Sequence, residues 1–241
     1  MPEQNSDKRK PWQKKAWVQW VGIALIMLIY SYPSLFKIQS NNPLTARVIL
    51  FNTIVIRGVL IIVLLLVLHF LYGEKCQDLN RKTGTWWKDT LGGIALAALT
   101  LGTKVLFDNP INNLFPRQPD SGLGQFFNEM VENPLIFALM IGPALIIGAG
   151  IGEELDHVFL LTRLWNLSSN KVWRWIAVVL SEVLLGLAHL YQGTAGVITT
   201  GVSGLIMGIY YLLFGRLNVM IIAHYLHDAV QLALVYLIAN T

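Results

Sequence analysis

The stretch Val59-Leu-Ile-Ile-Val-Leu-Leu-Leu-Val-Leu68 is ten apolar residues long with no polar interruption. A soluble core has no need of such a run, whereas a helix crossing hydrocarbon requires about 20 mostly apolar residues. Composition agrees: 54% hydrophobic residues, 13% charged and a mean hydropathy of +0.54 place the 241 residues among polytopic membrane proteins. The net charge of +4 is not a nucleic-acid signature. Lys and Arg lie between the apolar runs, where loops meet anionic lipid, so the expected partner is the lipid bilayer and not nucleic acid. The lone Cys76 excludes an internal disulfide and two-thiol chemistry.

Working outward from residues 59–68, seven segments have the length and composition of a span: 17–36, 48–72, 90–107, 135–166, 172–191, 195–214 and 219–239. The expected fold is all-α, a polytopic membrane helix bundle of about seven transmembrane helices. The connector 108–133 is rich in Asn, Pro and Gly and reads as a re-entrant or surface loop. The basic start, Lys8-Arg9-Lys10 and Lys14-Lys15, has the outline of a signal peptide. Ser31-Tyr32-Pro33-Ser34-Leu35 offers no small-x-small cleavage site, so a retained first span is expected after a basic cytoplasmic segment at 1–16.

Lys and Arg alternate in number between successive loops. Five precede the first span, two come after it (Lys37, Arg47), then four (Lys75, Arg81, Lys82, Lys88), one (Arg117), three (Arg163, Lys171, Arg174), none, and one (Arg216). By the positive-inside rule the N-terminus is cytoplasmic and the C-terminus outside. An integral protein of a bacterial cytoplasmic membrane is the expectation.

Within the apolar runs of the last ninety residues stand Glu153, Glu154, His157, Glu182, His189, His224, His227 and Asp228. Each acid costs about 2.5–3.5 kcal/mol to insert and must be offset by a partner, by water or by a ligand. Glu153 and His189 are equidistant from Lys171 in the polar turn Ser168-Ser169-Asn170-Lys171. An antiparallel hairpin about that turn brings the two to one height. His224 and Asp228, four apart, share a helix face, with His227 beside them. A desolvated carboxylate that takes a proton from water, an imidazole to share it, and a second imidazole to stabilise an oxyanion are the parts of amide hydrolysis.

Glu153-Glu154, Leu185-Gly186-Leu187-Ala188-His189 and His224-Tyr225-Leu226-His227-Asp228 resemble, in order and spacing, the three motifs of the CPBP family, the CAAX proteases and bacteriocin-processing enzymes also called Abi. The resemblance covers roughly the last 110 residues and marks 131–241 as a catalytic core behind N-terminal helices and loops at 17–130. It implies an intramembrane endopeptidase acting on a membrane-associated peptide or protein substrate. Glu153 would be the base on water, His189 its partner, and His224 with Asp228 the oxyanion pocket; Glu154 completes the first motif. One position departs: Val158 stands where the motif has Arg, removing the counter-charge of Glu154. His157, three residues on, or Arg57 from the second span would replace it; Arg163 is too far along the helix.

Other readings of the same residues stay open. A buried polar network that only locks the bundle would make the chain a catalytically degenerate scaffold or a bacteriocin self-immunity protein. Glu154 and His157 have di-iron spacing, but there is no second such helix. The hydrolase chemistry requires no cofactor, while Glu153, His224 and His227 supply three donors of the kind zinc uses. Glu182 is expected to pair with Arg57 or Lys104. His69 reads as interfacial, and Trp12, Trp17, Trp20, Trp86, Trp87, Trp173 and Trp175 as an aromatic belt. Gly148, Gly150 and Gly152 suggest close helix packing.

Overall fold

Backbone amides in hydrocarbon must find partners within their own segment, so apolar runs of this length fold as helices. The computed structural model describes residues 10–39, 45–82, 84–115 and 121–240, which form helices and short turns with no β-strand. In chain order, α1 is Ala16–Gln39, α2 Ala46–Tyr72, α3 Trp86–Leu114, α4 Ser121–Glu132, α5 Pro134–Trp165, α6 Lys171–Ala188, α7 Gly193–Phe214 and α8 Leu217–Ala239. The chain is an all-α membrane helix bundle. Among the described residues five helices, α2, α3, α5, α7 and α8, are long and apolar enough to cross a membrane. Seven spans would require α1 and α6 as well. The apolar part of α1 is the shorter Ala16–Ser31, and α6 carries Lys171, Arg174 and Glu182 within 18 residues. Lys8, Arg9 and Arg117, which carry part of the charge alternation, and the C-terminal Thr241 lie outside the described residues.

Short-range chemistry sets the helix ends. The side chain of Thr45 accepts from Val48 N–H, Asn133 Oδ1 from the N–H groups of Leu135 and Ile136, and Asn170 Oδ1 from Val172 N–H. Gly73 and Gly215 close α2 and α7 in the left-handed conformation, at φ of 65° and 63°, where a Cβ would be strained.

The connector 108–133 differs from the loop expected. α3 runs through Pro110 to Leu114, and α4 is an amphipathic helix. Phe126 and Met130, four residues apart, bury against Ala46 and Ala144, and Glu129 accepts the Ala46 N–H at 2.7 Å. Helical spacing of apolar residues outweighed the breaker composition.

One apolar cluster joins α1, α2, α3, α5, α6, α7 and α8, so the N-terminal helices and residues 131–241 share a core. At its basic end Arg163 is 1% exposed, ion-paired to Glu74 and stacked over Tyr72 and Phe159 at 4.1 and 4.9 Å. Gly22 of α1 packs directly against these side chains; a Cβ there would strike the Tyr72 hydroxyl. The α5–α6 hairpin is locked by its tryptophans, Trp173 Nε1 donating to Leu164 O and Trp165 Nε1 to Arg174 O. Arg216 pairs with Asp89 and holds the start of α8 against α3.

Candidate active site

α5 carries the first pair of acids and is irregular just before them. Met140–Ala144 and Ile146–Glu153 are π-helical, with a break at Gly142 ahead of Pro143. Each π turn takes an extra residue and rotates the remainder of the helix about its axis, a deformation often found at functional sites. Gly152 lets Arg57 of α2 cross over α5, since a Cβ there would meet the guanidinium. Arg57 then pairs with Asp156 at 2.6 Å. Close packing is thus what this glycine serves, as expected.

Beyond that irregularity Glu153 and Glu154 point in different directions. The Glu153 side chain is 36% exposed and faces a cavity of about 340 Å³. Its Oε2 lies 4.0 Å from His189 Nε2 and 3.9 Å from His224 Nε2. Glu154 is 2% exposed and accepts from His224 Nδ1 at 2.6 Å. His224 Nε2 in turn lies 3.7 Å from Asp228 Oδ2, the i,i+4 pair that shares a face of α8. His189 ends α6, where its Nδ1 meets Leu185 O at 2.9 Å, aiming Nε2 toward Glu153.

The fold therefore brings Glu153, Glu154, His189, His224 and Asp228, drawn from three helices, to one cavity. His224 stands seven residues past Leu217, about 10 Å along α8 at 1.5 Å per residue. The site accordingly lies about two turns in from the start of that helix.

Other expectations need correcting. Glu182 pairs with neither Arg57 nor Lys104; its Oε1 meets His157 Nε2 at 2.6 Å and takes the Ser181 hydroxyl at 2.8 Å. Arg57 is committed to Asp156, an acid that also lies in an apolar run but was not among the candidates. Of the two replacements considered for the motif Arg, His157 is the one beside Glu154, with Nδ1 3.4 Å from Oε2. His227 lines the cavity, but its Nδ1 engages Thr100 at 3.0 Å. No group of three or more His, Cys, Asp or Glu side chains among the described residues is arranged to hold a metal ion.

The rest of the cavity lining was not foreseen. Thr100 and Lys104 of α3, Ser203 of α7, Gln192 before it and Gln231 of α8 make the cavity polar. Their only signal in the sequence was polarity within apolar runs, which single Thr, Ser and Gln residues carry too weakly to stand out.

Residues 134–230 match the family model for type II CAAX prenyl endopeptidases, Rce1-like. The match covers α5 to most of α8 and bears out the resemblance to CPBP/CAAX proteases that the three motifs carried. No curated protein and no solved structure matches the chain.

Proposed function

We propose, with the match of residues 134–230 to CAAX prenyl endopeptidases as premise, that this integral membrane protein is an intramembrane endopeptidase. It hydrolyses a peptide bond of a membrane-associated peptide or protein. One observation carries the reading: a cavity-facing Glu153 oxygen about equally far from two imidazole Nε2 atoms, at 4.0 and 3.9 Å. Those separations are too long for direct hydrogen bonds and suit a bridging water.

Glu153 takes a proton from that water as the hydroxide oxygen adds to the scissile carbonyl carbon. His189, with Nδ1–H given to Leu185 O, carries its lone pair on Nε2 and shares the proton there. His224 gives Nδ1–H to Glu154 and donates from Nε2 to the developing oxyanion. Asp228 adds a second donor there in its protonated form, since an ionised carboxylate only accepts. Collapse of the tetrahedral intermediate breaks the C–N bond, and the proton held between Glu153 and His189 passes to the leaving amine. The polar wall of Thr100, Ser203 and Gln231 admits the water that hydrocarbon would exclude. The reaction so written requires no cofactor. The distribution of Lys and Arg supports an orientation with the N-terminus in the cytoplasm.

The test is turnover by purified protein in nanodiscs of two quenched peptides, one farnesylated near its C-terminus and one anchored by an apolar segment. Cleavage by wild type, unchanged by a chelator and lost in Glu153→Gln, is expected. A chelator-sensitive activity restored by zinc would reassign Glu153 and the histidines as ligands. No cleavage of either peptide, with Val158 in the motif's Arg position, would favour the degenerate scaffold or immunity protein.

A further inference from the structure

Glu154 is buried without the arginine its motif supplies. Val158, in the arginine's place, is wholly buried in the apolar cluster. His157 faces Glu154 from behind, and Glu182 of α6 faces His157. The side chains form one file across three helices: Ser181 Oγ to Glu182 Oε1 at 2.8 Å, Glu182 Oε1 to His157 Nε2 at 2.6 Å, His157 Nδ1 to Glu154 Oε2 at 3.4 Å, and Glu154 Oε1 to His224 Nδ1 at 2.6 Å. Glu154, His157 and Glu182 are each at most 3% exposed.

Packing alone does not account for a glutamate at 182. α7 accommodates it by leaving out side chains: a Cβ on Gly204 or on Gly208 would collide with its carboxylate. A ring that carries N–H on both nitrogens can offset the two buried carboxylates beside it, the nearer by a 2.6 Å hydrogen bond and the farther as an ion pair at 3.4 Å, and a histidine with two N–H groups is a cation. The ring then offers Glu154 the positive charge that a guanidinium at position 158 would have given.

We propose that Glu182 and His157 are positioning residues that replace the missing motif arginine: Glu182 keeps His157 as an imidazolium, and His157 holds Glu154, and through it the His224 ring, in register with the cavity. The catalytic consequence rests on the peptidase reading; the charge on His157 does not.

Two measurements test this independently. The first is ring ¹⁵N NMR of histidine-labelled protein in nanodiscs at neutral pH, with His157 identified by the signals absent from His157→Gln. Both ring nitrogens should be protonated in wild type, and Glu182→Gln should leave one bare. A neutral His157 in wild type overturns the proposal whatever the protein cleaves. The second is turnover of the peptide that wild type cleaves. Glu182→Gln and His157→Gln should each lower kcat by roughly 10–100-fold with KM within about twofold, and the double variant should be no worse than either single one. A wild-type kcat in Glu182→Gln, or losses that multiply, refutes the shared file. If Glu182→Gln does not fold, Gly208→Ala takes its place in both measurements, because it crowds the same carboxylate from a position that does not line the cavity. It should cost several-fold in kcat and discharge His157; a wild-type rate and a charged His157 there count against the proposal. If wild type cleaves nothing, the proposed function fails, and the NMR result still decides the charge.

Discussion

Glu153→Gln separates chemistry from structure better than any other change at this site. The amide has nearly the shape of the carboxylate, and the side chain is 36% exposed into the cavity. Its nearest charged partners, at 3.9 and 4.0 Å, lie beyond direct hydrogen bonding, so the substitution breaks no short contact. Stability should therefore change by no more than about 0.5 kcal/mol, as for an exposed surface site. What disappears is the basic oxygen, and general-base catalysis contributes about 10²–10⁴. At 1.36 kcal/mol per decade this raises the barrier by about 2.7–5.4 kcal/mol. The assay pairs initial cleavage rates in nanodiscs with thermal unfolding of the same preparation. An intact melting curve with a rate lowered by two decades or more is the expected result. A rate within threefold of wild type would refute the assignment of Glu153 as base. A matching loss of rate and of melting temperature would mean that the residue serves the fold. Glu154→Gln provides the contrast. That residue is 2% exposed and bonded to His224, so trading a charge-assisted bond for a neutral one should cost about 1–1.5 kcal/mol of stability as well as rate.

His224→Ala should lower kcat by about 10²–10³ if Nε2 donates to the oxyanion, and a smaller effect on kcat than on KM would contradict that role. Asp228→Asn keeps the size and supplies a permanent donor, so activity should stay at or rise above wild type; a loss of tenfold or more would show that the carboxylate is needed as an acceptor. Trp173→Phe removes the bond to Leu164 O that locks the α5–α6 hairpin, and should cost about 0.5–1.5 kcal/mol in thermal unfolding with kcat unchanged. Cys76 lies exposed in the turn after α2, and partial burial of its sulfur raises the thiol pKa, so labelling calls for alkaline buffer. A membrane-impermeant maleimide should reach it only after permeabilisation; labelling of intact cells would invert the orientation.

By itself the sequence determined that this chain lives in a membrane and which polar residues of its apolar runs meet at one cavity. Apolar length and helical spacing are local properties, so residues 59–68 announce a span and His224 and Asp228 must share a face whatever surrounds them. The symmetry of Glu153 and His189 about Lys171 comes from hairpin geometry alone, and the two do meet at one cavity. Partner choice among buried charges was another matter. Arg57 went to Asp156 and Glu182 to His157, and His227 turned to Thr100, because each pairing depends on how far a helix is rotated about its axis. A residue of rotation is about 100°, and the π-helical turns of α5 insert such offsets with no periodic signal to mark them. α4 was hidden for a related reason: its breaker-rich composition yields to amphipathic packing only once Ala46 and Ala144 are beside it. Tertiary structure decided these features because burying a charge in hydrocarbon leaves it only the partners that neighbouring helices bring within reach.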